Sequence, residues 1–190
     1  MVDAARDAAR KARKAQARDA RAARILEAAA IVLATSGISG VTMRAVAAKA
    51  GYTAGAVYNY FASREALLAA IAADELDVLA KAMRQQPANL GDLSRACTRA
   101  LRRVVPLLVA ARSGDVPAET ERVLTGRVIA VLRLLDAAMP TIKGSSQALD
   151  VIALWSGLTG IALMADSGRF GSLNVDDETV LAALIARFES

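Results

Sequence analysis

The chain has no histidine and a single cysteine, Cys97, in 190 residues. Without histidine there is no imidazole base and no His-containing zinc set, and a lone thiol cannot close a disulfide within the chain. Catalysis would fall to Asp, Glu, Lys or Tyr, yet no paired carboxylates, phosphate-cradling loop or Ser-Lys arrangement stands out. The expectation is a non-enzyme without cofactor or metal. Aromatic residues number only seven, and four of them crowd between Tyr52 and Phe61. The longest strongly apolar run, Val151 to Ala165 between Asp150 and Asp166, falls short of the roughly 20 residues a bilayer requires. Residues 1–24 lack the apolar stretch of an export signal. A cytoplasmic protein that does not enter a membrane is the simplest reading.

What the chain does have is charge in one place. Residues 1–64 hold eleven Lys or Arg and four acids, whereas the rest is slightly acidic within an overall +5. A basic first third implies a polyanionic partner, either nucleic acid or an anionic membrane surface. The plain alternative is a solvated, solubilising face. With 55% hydrophobic residues, a buried core is available.

Ala, Leu, Arg, Glu and Lys dominate and no two-residue alternation persists, so the fold is predicted to be all-α. Residues 1–18 show no apolar stripe and are expected to form a mobile arm or a fraying helix. A first helix with Ile25, Ala29, Val32 and Leu33 on one face should end at Thr35–Gly40. Thr42 is placed to cap a second helix followed by Gly51, Thr53 a third ending near Phe61, and Ser63 a fourth running towards Pro87. Further helices are expected over about 90–111, with a kink or division at Pro106, and over 117–139. A loop at 140–146, a helix over 147–165, a Gly-rich link at 167–173 and a last helix over 176–188 complete the chain. The implied organisation is a basic arm (1–18), a small N-terminal helical domain (19–74) and a helical bundle (75–190).

Residues 42–61 have the dimensions of a helix-turn-helix, two short helices about a tight turn entered at Gly51. Val46, Ala47 and Ala50 form a small apolar face, and Val57 and Phe61 anchor the third helix. That leaves Gly55, Ala56 and Asn59 outward, with Tyr58 and Tyr60 flanking. Small residues let a helix sink into a major groove about 12 Å wide. Tyr58 and Tyr60, two apart, cannot share one core stripe.

The run Gly37-Ile-Ser-Gly-Val-Thr-Met-Arg-Ala-Val-Ala47, followed by Ala50-Gly-Tyr-Thr-Ala-Gly-Ala-Val-Tyr-Asn-Tyr-Phe-Ala-Ser-Arg-Glu-Ala-Leu-Leu68, resembles the N-terminal domain of the tetracycline-repressor (TetR) family over residues 21 to about 70. The resemblance implies a homodimeric, all-helical transcriptional regulator, usually a repressor released from a palindromic operator by a small ligand. It implies phosphate contacts from Thr42, Thr53, Tyr58, Tyr60 and Arg64, and a guanine-reading role for Arg44. Ala54, Gly55, Ala56 and the adjacent Asn59 fall where bases are discriminated. The first three carry no hydrogen-bonding side chain, so thymine-methyl contact or shape readout would substitute.

The segment 147–165 is apolar around most of its circumference, which predicts burial on both sides. With the 176–188 helix it would build a four-helix dimer interface. Leu154-Trp155-Ser-Gly-Leu-Thr-Gly160 resembles a C-terminal pattern of part of the family in which His stands where Thr159 is here, so no role resting on that His carries over. Candidate ligand-lining residues are Met83, Leu101, Val105, Leu108, Leu124, Val128, Trp155 and Thr159, all equally suited to a plain core, and a ligand among them would be mostly apolar. Arg102 and Arg103 suit an acidic ligand or salt bridges. Cys97 reads as a packing residue. Two alternatives stand beside the ligand-released regulator: a DNA-binding protein with no small-molecule inducer, regulated by a protein partner or acting architecturally, which shares every N-terminal feature, and a membrane-surface protein using the basic arm. An apolar cavity would favour the sensor over the first.

Overall fold

The computed structural model describes residues 2–85, 89–112, 114–140 and 146–189, with backbone alone at 2–5. Among the described residues there are nine helices and no strand: α1 (Val2–Gly40), α2 (Met43–Ala50), α3 (Ala54–Tyr58), α4 (Arg64–Gln85), α5 (Leu90–Ala111), α6 (Ala118–Ala138), α7 (Gln147–Asp166), α8 (Arg169–Ser172) and α9 (Asp177–Ala186). The all-α expectation holds.

Of the two forms expected for the N-terminal stretch, a mobile arm or a helix, α1 takes the helical one. It is one helix of 39 residues, interrupted only at Gly37, whose φ of 66° lies in the left-handed region. Ile25, Ala28, Ala29 and Val32 are buried and nucleate the helix. Ten alanines among the first 23 residues then need only propagate it towards the N-terminus, which costs far less than starting it. The breaker at Gly37 was correctly located, but the chain resumes helix to Gly40. Helix α3 stops at Tyr58 rather than near Phe61, with Asn59 as its C-cap.

Helix α5 passes through Pro106 undivided. Proline there removes the bond to the Arg102 carbonyl, but burial of Leu101, Val104, Val105 and Leu107 on either side holds the helix together. The Gly-rich link contains the single turn α8, anchored by buried Phe170. Of the 140–146 loop, residues 141–145 lie outside the described residues, as does Pro87. The domain boundaries expected at 18/19 and 74/75 fall inside α1 and α4, so helix rather than linker spans each of them.

Helices α1, α2 and α3 pack together, α1 also touches α4, and α4 lies against α5 and α6, while α7 rests on α5, α6 and α9. Helix α6 is covered thinly. Val131 and Leu135 are its buried residues, and nothing from Ala118 to Ala130 is buried. Helix α7 buries Val151, Leu154, Leu158, Ile161 and Ala162 but leaves Leu149 66%, Ile152 53% and Leu163 44% exposed. One face thus packs on the core and the other has no neighbour within the chain, the arrangement expected if a partner subunit covers it. At 20 residues, α7 is also longer than the run read from sequence; it and Arg6–Gly40 are long and apolar enough, by length and composition alone, to cross a bilayer.

Candidate nucleic-acid interface and cavity

Two local signals build the α2–α3 unit. Thr42 Oγ1 accepts the Ala45 N–H at 3.1 Å, and Thr53 Oγ1 accepts the Ala56 N–H at 3.2 Å, each satisfying a donor left open at a helix start. Between them Gly51 closes α2 at φ 74°, and the Tyr52 N–H reaches the Ala47 carbonyl at 2.8 Å. Such a left-handed C-cap suits glycine because a Cβ is strained there. Val46, Ala47, Val57 and Phe61 are buried as expected, with Ala50 half-buried.

The polar residues of the unit are left to solvent. Thr42, Arg44, Thr53, Gly55, Asn59 and Tyr58 (52% exposed) are all exposed, Ala56 is half-buried, and Ala54 and Tyr60 are half-buried against the core. Two helix starts, an exposed guanidinium and an exposed phenol suit a phosphate-lined groove. The Arg24 guanidinium lies over the Tyr52 ring, 5.8 Å from its centroid, which ties α1 to the turn.

Arg64 is placed differently from its implied phosphate role. Its Nε donates to the Val41 carbonyl and its Nη2 to the Ile38 carbonyl, both at 2.7 Å. The fork thus clamps the α1–α2 connection to the start of α4. Beside it, Ser63 Oγ accepts the Ala66 N–H at 3.0 Å and caps α4.

A cavity of about 630 Å³ opens between α5, α6 and α7, within the 300–1,000 Å³ range of small-molecule sites. Val105, Leu108, Leu124 and Thr159 line it, as the sequence suggested. The other four candidates do not. Leu101 is buried in the core, Met83 borders a different hollow between α4 and α5, and Val128 and Trp155 pack half-buried against the core. Sequence reasoning missed Ala69, Val109 and the connection after α5, which adds Arg112, Asp115 and Val116; Glu121 of α6 completes a charged rim. Thr159 spends its hydroxyl proton on the Trp155 carbonyl at 2.8 Å, leaving oxygen lone pairs for the cavity.

The same connection touches the start of α4. Ser63 Oγ lies 3.4 Å from the Asp115 carbonyl, to which it donates, and a Cβ on Gly114 would come within 2.6 Å of Glu65 Cγ. Further along α4, Asp77 pairs with Lys81 and with Arg127 of α6, both at 2.7 Å. The hydrogen bond from Lys81, with Arg127 beside it, holds the Asp77 carboxyl below its ordinary value despite partial burial.

Arg102 pairs with Asp177 at 3.0 Å and Arg103 with Glu75 at 2.9 Å, so neither faces the cavity as a free cation. Burial alone pushes the Cys97 thiol up to about 12, consistent with a packing role. Among the described residues no cluster of His, Cys, Asp or Glu could hold a metal.

Residues 25–71 match the family described as bacterial regulatory proteins, tetR family. Comparison with curated proteins gives no match. Among solved structures, the chain is similar to a candidate transcriptional regulator from Rhodococcus sp. RHA1, with a TM-score of 0.68 and 17% identity over 89% of this chain and 95% of that one. It is similar to the transcriptional regulator FadR from Bacillus subtilis in complex with stearoyl-CoA (TM-score 0.54, 14% identity, 88% and 97% covered). It is also similar to AibR in complex with isovaleryl coenzyme A and operator DNA (TM-score 0.52, 21% identity, 89% and 98% covered). The fold is therefore that of these regulators along nearly its whole length.

Proposed function

We propose, for a chain with a tetR-type segment at 25–71 on this regulator fold, a homodimeric, sequence-specific DNA-binding transcriptional regulator. In this reading it is a repressor released from a palindromic operator by a small ligand. The observation that carries the reading is the capped α2–α3 unit, whose Thr42, Arg44, Thr53, Tyr58 and Asn59 are all exposed and take no part in the core. Arg44 is its base reader, because the small Ala54-Gly55-Ala56 surface offers only apolar contact. Residues 19–74 then form the DNA-binding unit and 75–190 the effector and dimer unit, with α4 common to both.

The cavity supports a small-molecule effector over a regulator without one. Its walls of Val105, Leu108, Val109 and Leu124 suit an apolar body, and its rim of Arg112, Asp115 and Glu121 suits a polar end. Acyl groups of the kind held by FadR and AibR have that character. Rim residues that lean on Ser63 and Glu65 give an occupant a direct route to the DNA-binding unit. For the dimer, the exposed apolar stripe Leu149, Ile152, Leu163 on α7 and the exposed Ala182, Ala183 and Ala186 on α9, a helix packed against α7, are the candidate contacts.

The test is selection of bound duplexes from a random-sequence pool, followed by affinity of the best one across salt. A short palindrome bound far more tightly than random DNA is the expected result, with Arg44→Ala costing about 1–3 kcal/mol on that site and much less elsewhere. Binding without sequence preference, lost steeply as salt rises, would overturn the reading in favour of an architectural protein.

A further inference from the structure

We infer that the N-terminal half of α1 is a second DNA-binding element, a preformed basic helix that lies along the phosphate backbone flanking the site engaged by α2 and α3. The inference rests on the DNA-binding reading above and extends it to a surface outside the helix-turn-helix. Every residue from Arg6 to Ala20 is exposed, so no other element covers this stretch. At 100° per residue, Arg6, Arg10, Arg13, Lys14, Arg21 and Arg24 fall within about a third of the helix circumference, with Asp7 and Glu27 bordering that stripe and Asp19 on the opposite face. Among the described residues the stretch has one ion pair, Arg10 with Asp7 at 3.3 Å, both exposed; such a pair is worth little. The stripe therefore keeps a strong net positive charge.

Its position gives it a partner. The inner end of the stripe is Arg24, which lies over Tyr52 in the turn immediately before Thr53. The row of charge thus starts at the helix-turn-helix and runs outward from it. From Arg24 to Arg6 the helix extends about 27 Å, the length of about eight base pairs. A lipid surface is the poorer fit. An interfacial helix needs large apolar side chains opposite its cations, and between Arg6 and Arg24 the most apolar residue is alanine.

The test compares full-length protein with a variant carrying Arg6, Arg10, Arg13, Lys14 and Arg21→Gln, which keeps good helix formers and touches no core residue. Two duplexes serve as probes: the best sequence selected from the random pool with about ten extra base pairs on each side, and the same sequence trimmed to its centre. The unaltered protein should prefer the longer duplex by tenfold or more. Its salt slope should be steeper there by about 0.9 for each phosphate the stripe neutralises. The Gln variant should bind both duplexes equally, and the corresponding Arg→Lys variant should keep the preference.

Equal binding of both duplexes by the unaltered protein would overturn the inference while the selected site, still bound specifically, upholds the regulator reading. A pool that yields no preferred sequence would defeat that reading and the inference with it. Charge-dependent binding to phosphatidylglycerol vesicles, with no effect of duplex length, would overturn the inference in favour of a membrane partner.

Discussion

Replacing Arg64 with alanine should destabilise the protein before any DNA is added. Its guanidinium makes two 2.7 Å hydrogen bonds to the carbonyls of Ile38 and Val41, and bonds to a charged donor contribute about 1.5–3 kcal/mol each. Val41 is buried and Ile38 half-buried, so water can re-solvate one carbonyl more readily than the other. Taking the lower bound for both gives a loss of about 3 kcal/mol. For a chain of this size that corresponds to a fall in Tm of about 6–12 °C. Arg64→Lys keeps the charge but has one nitrogen in place of a fork, so it should recover about half the loss. The assay is thermal and urea unfolding of the free protein followed by circular dichroism. The reasoning is refuted if Arg64→Ala unfolds at the wild-type midpoint and yet loses DNA affinity. Arg64 would then be the phosphate contact that the family resemblance implied.

The exposed face of α7 predicts that Ile152→Glu converts a dimer to a monomer of unchanged helix content in sedimentation velocity; a persistent dimer would place the interface elsewhere. Cys97, with its thiol raised to about 12 by burial, should ignore a disulfide reagent at pH 8 in the native state and react fully in urea, and fast native labelling would contradict its burial. The folded-state value of Asp77 lies below the ordinary 3.8, so its contribution is complete above about pH 4 and is lost as pH falls through the lower folded value. The chain has no histidine, so the urea midpoint should be flat from about pH 5 to 8 and drop only in acid. Asp77→Asn should shrink that acid drop and lower the midpoint at pH 7; a midpoint that rises on acidification would reverse the sign.

The helix-turn-helix was legible because its determinants are local. Thr42, Gly51 and Thr53 act on backbone groups within a few residues, and their spacing alone says what each does. Arg64 was not legible, since its acceptors are carbonyls 23 and 26 residues away, and every residue carries one. The cavity was half-legible for a related reason. Leu101 and Leu108 look alike in sequence, yet one fills the core and the other borders a void, according to how thinly α6 covers its neighbours. Its charged rim comes from the connection after α5, where no periodicity marks orientation. In the sequence the arm stays open between a mobile segment and a helix because no apolar stripe marks it. Alanine and arginine sustain one without it, given a packed segment to grow from.

The contact of the α5–α6 connection with Ser63 and Glu65 also constrains the energetics from the opposite direction. A coupling between two sites is a single free energy, shared by both. If an occupant of the cavity lowers operator affinity by some factor, the operator must lower affinity for that occupant by the same factor. Protein bound to DNA is then a poorer sensor than protein free in solution. The pool of unbound protein would then take up ligand first, and the effector concentration needed to empty the operator would rise with the tightness of the DNA site. One protein serving two operators of unequal strength would vacate them in sequence, the weaker first.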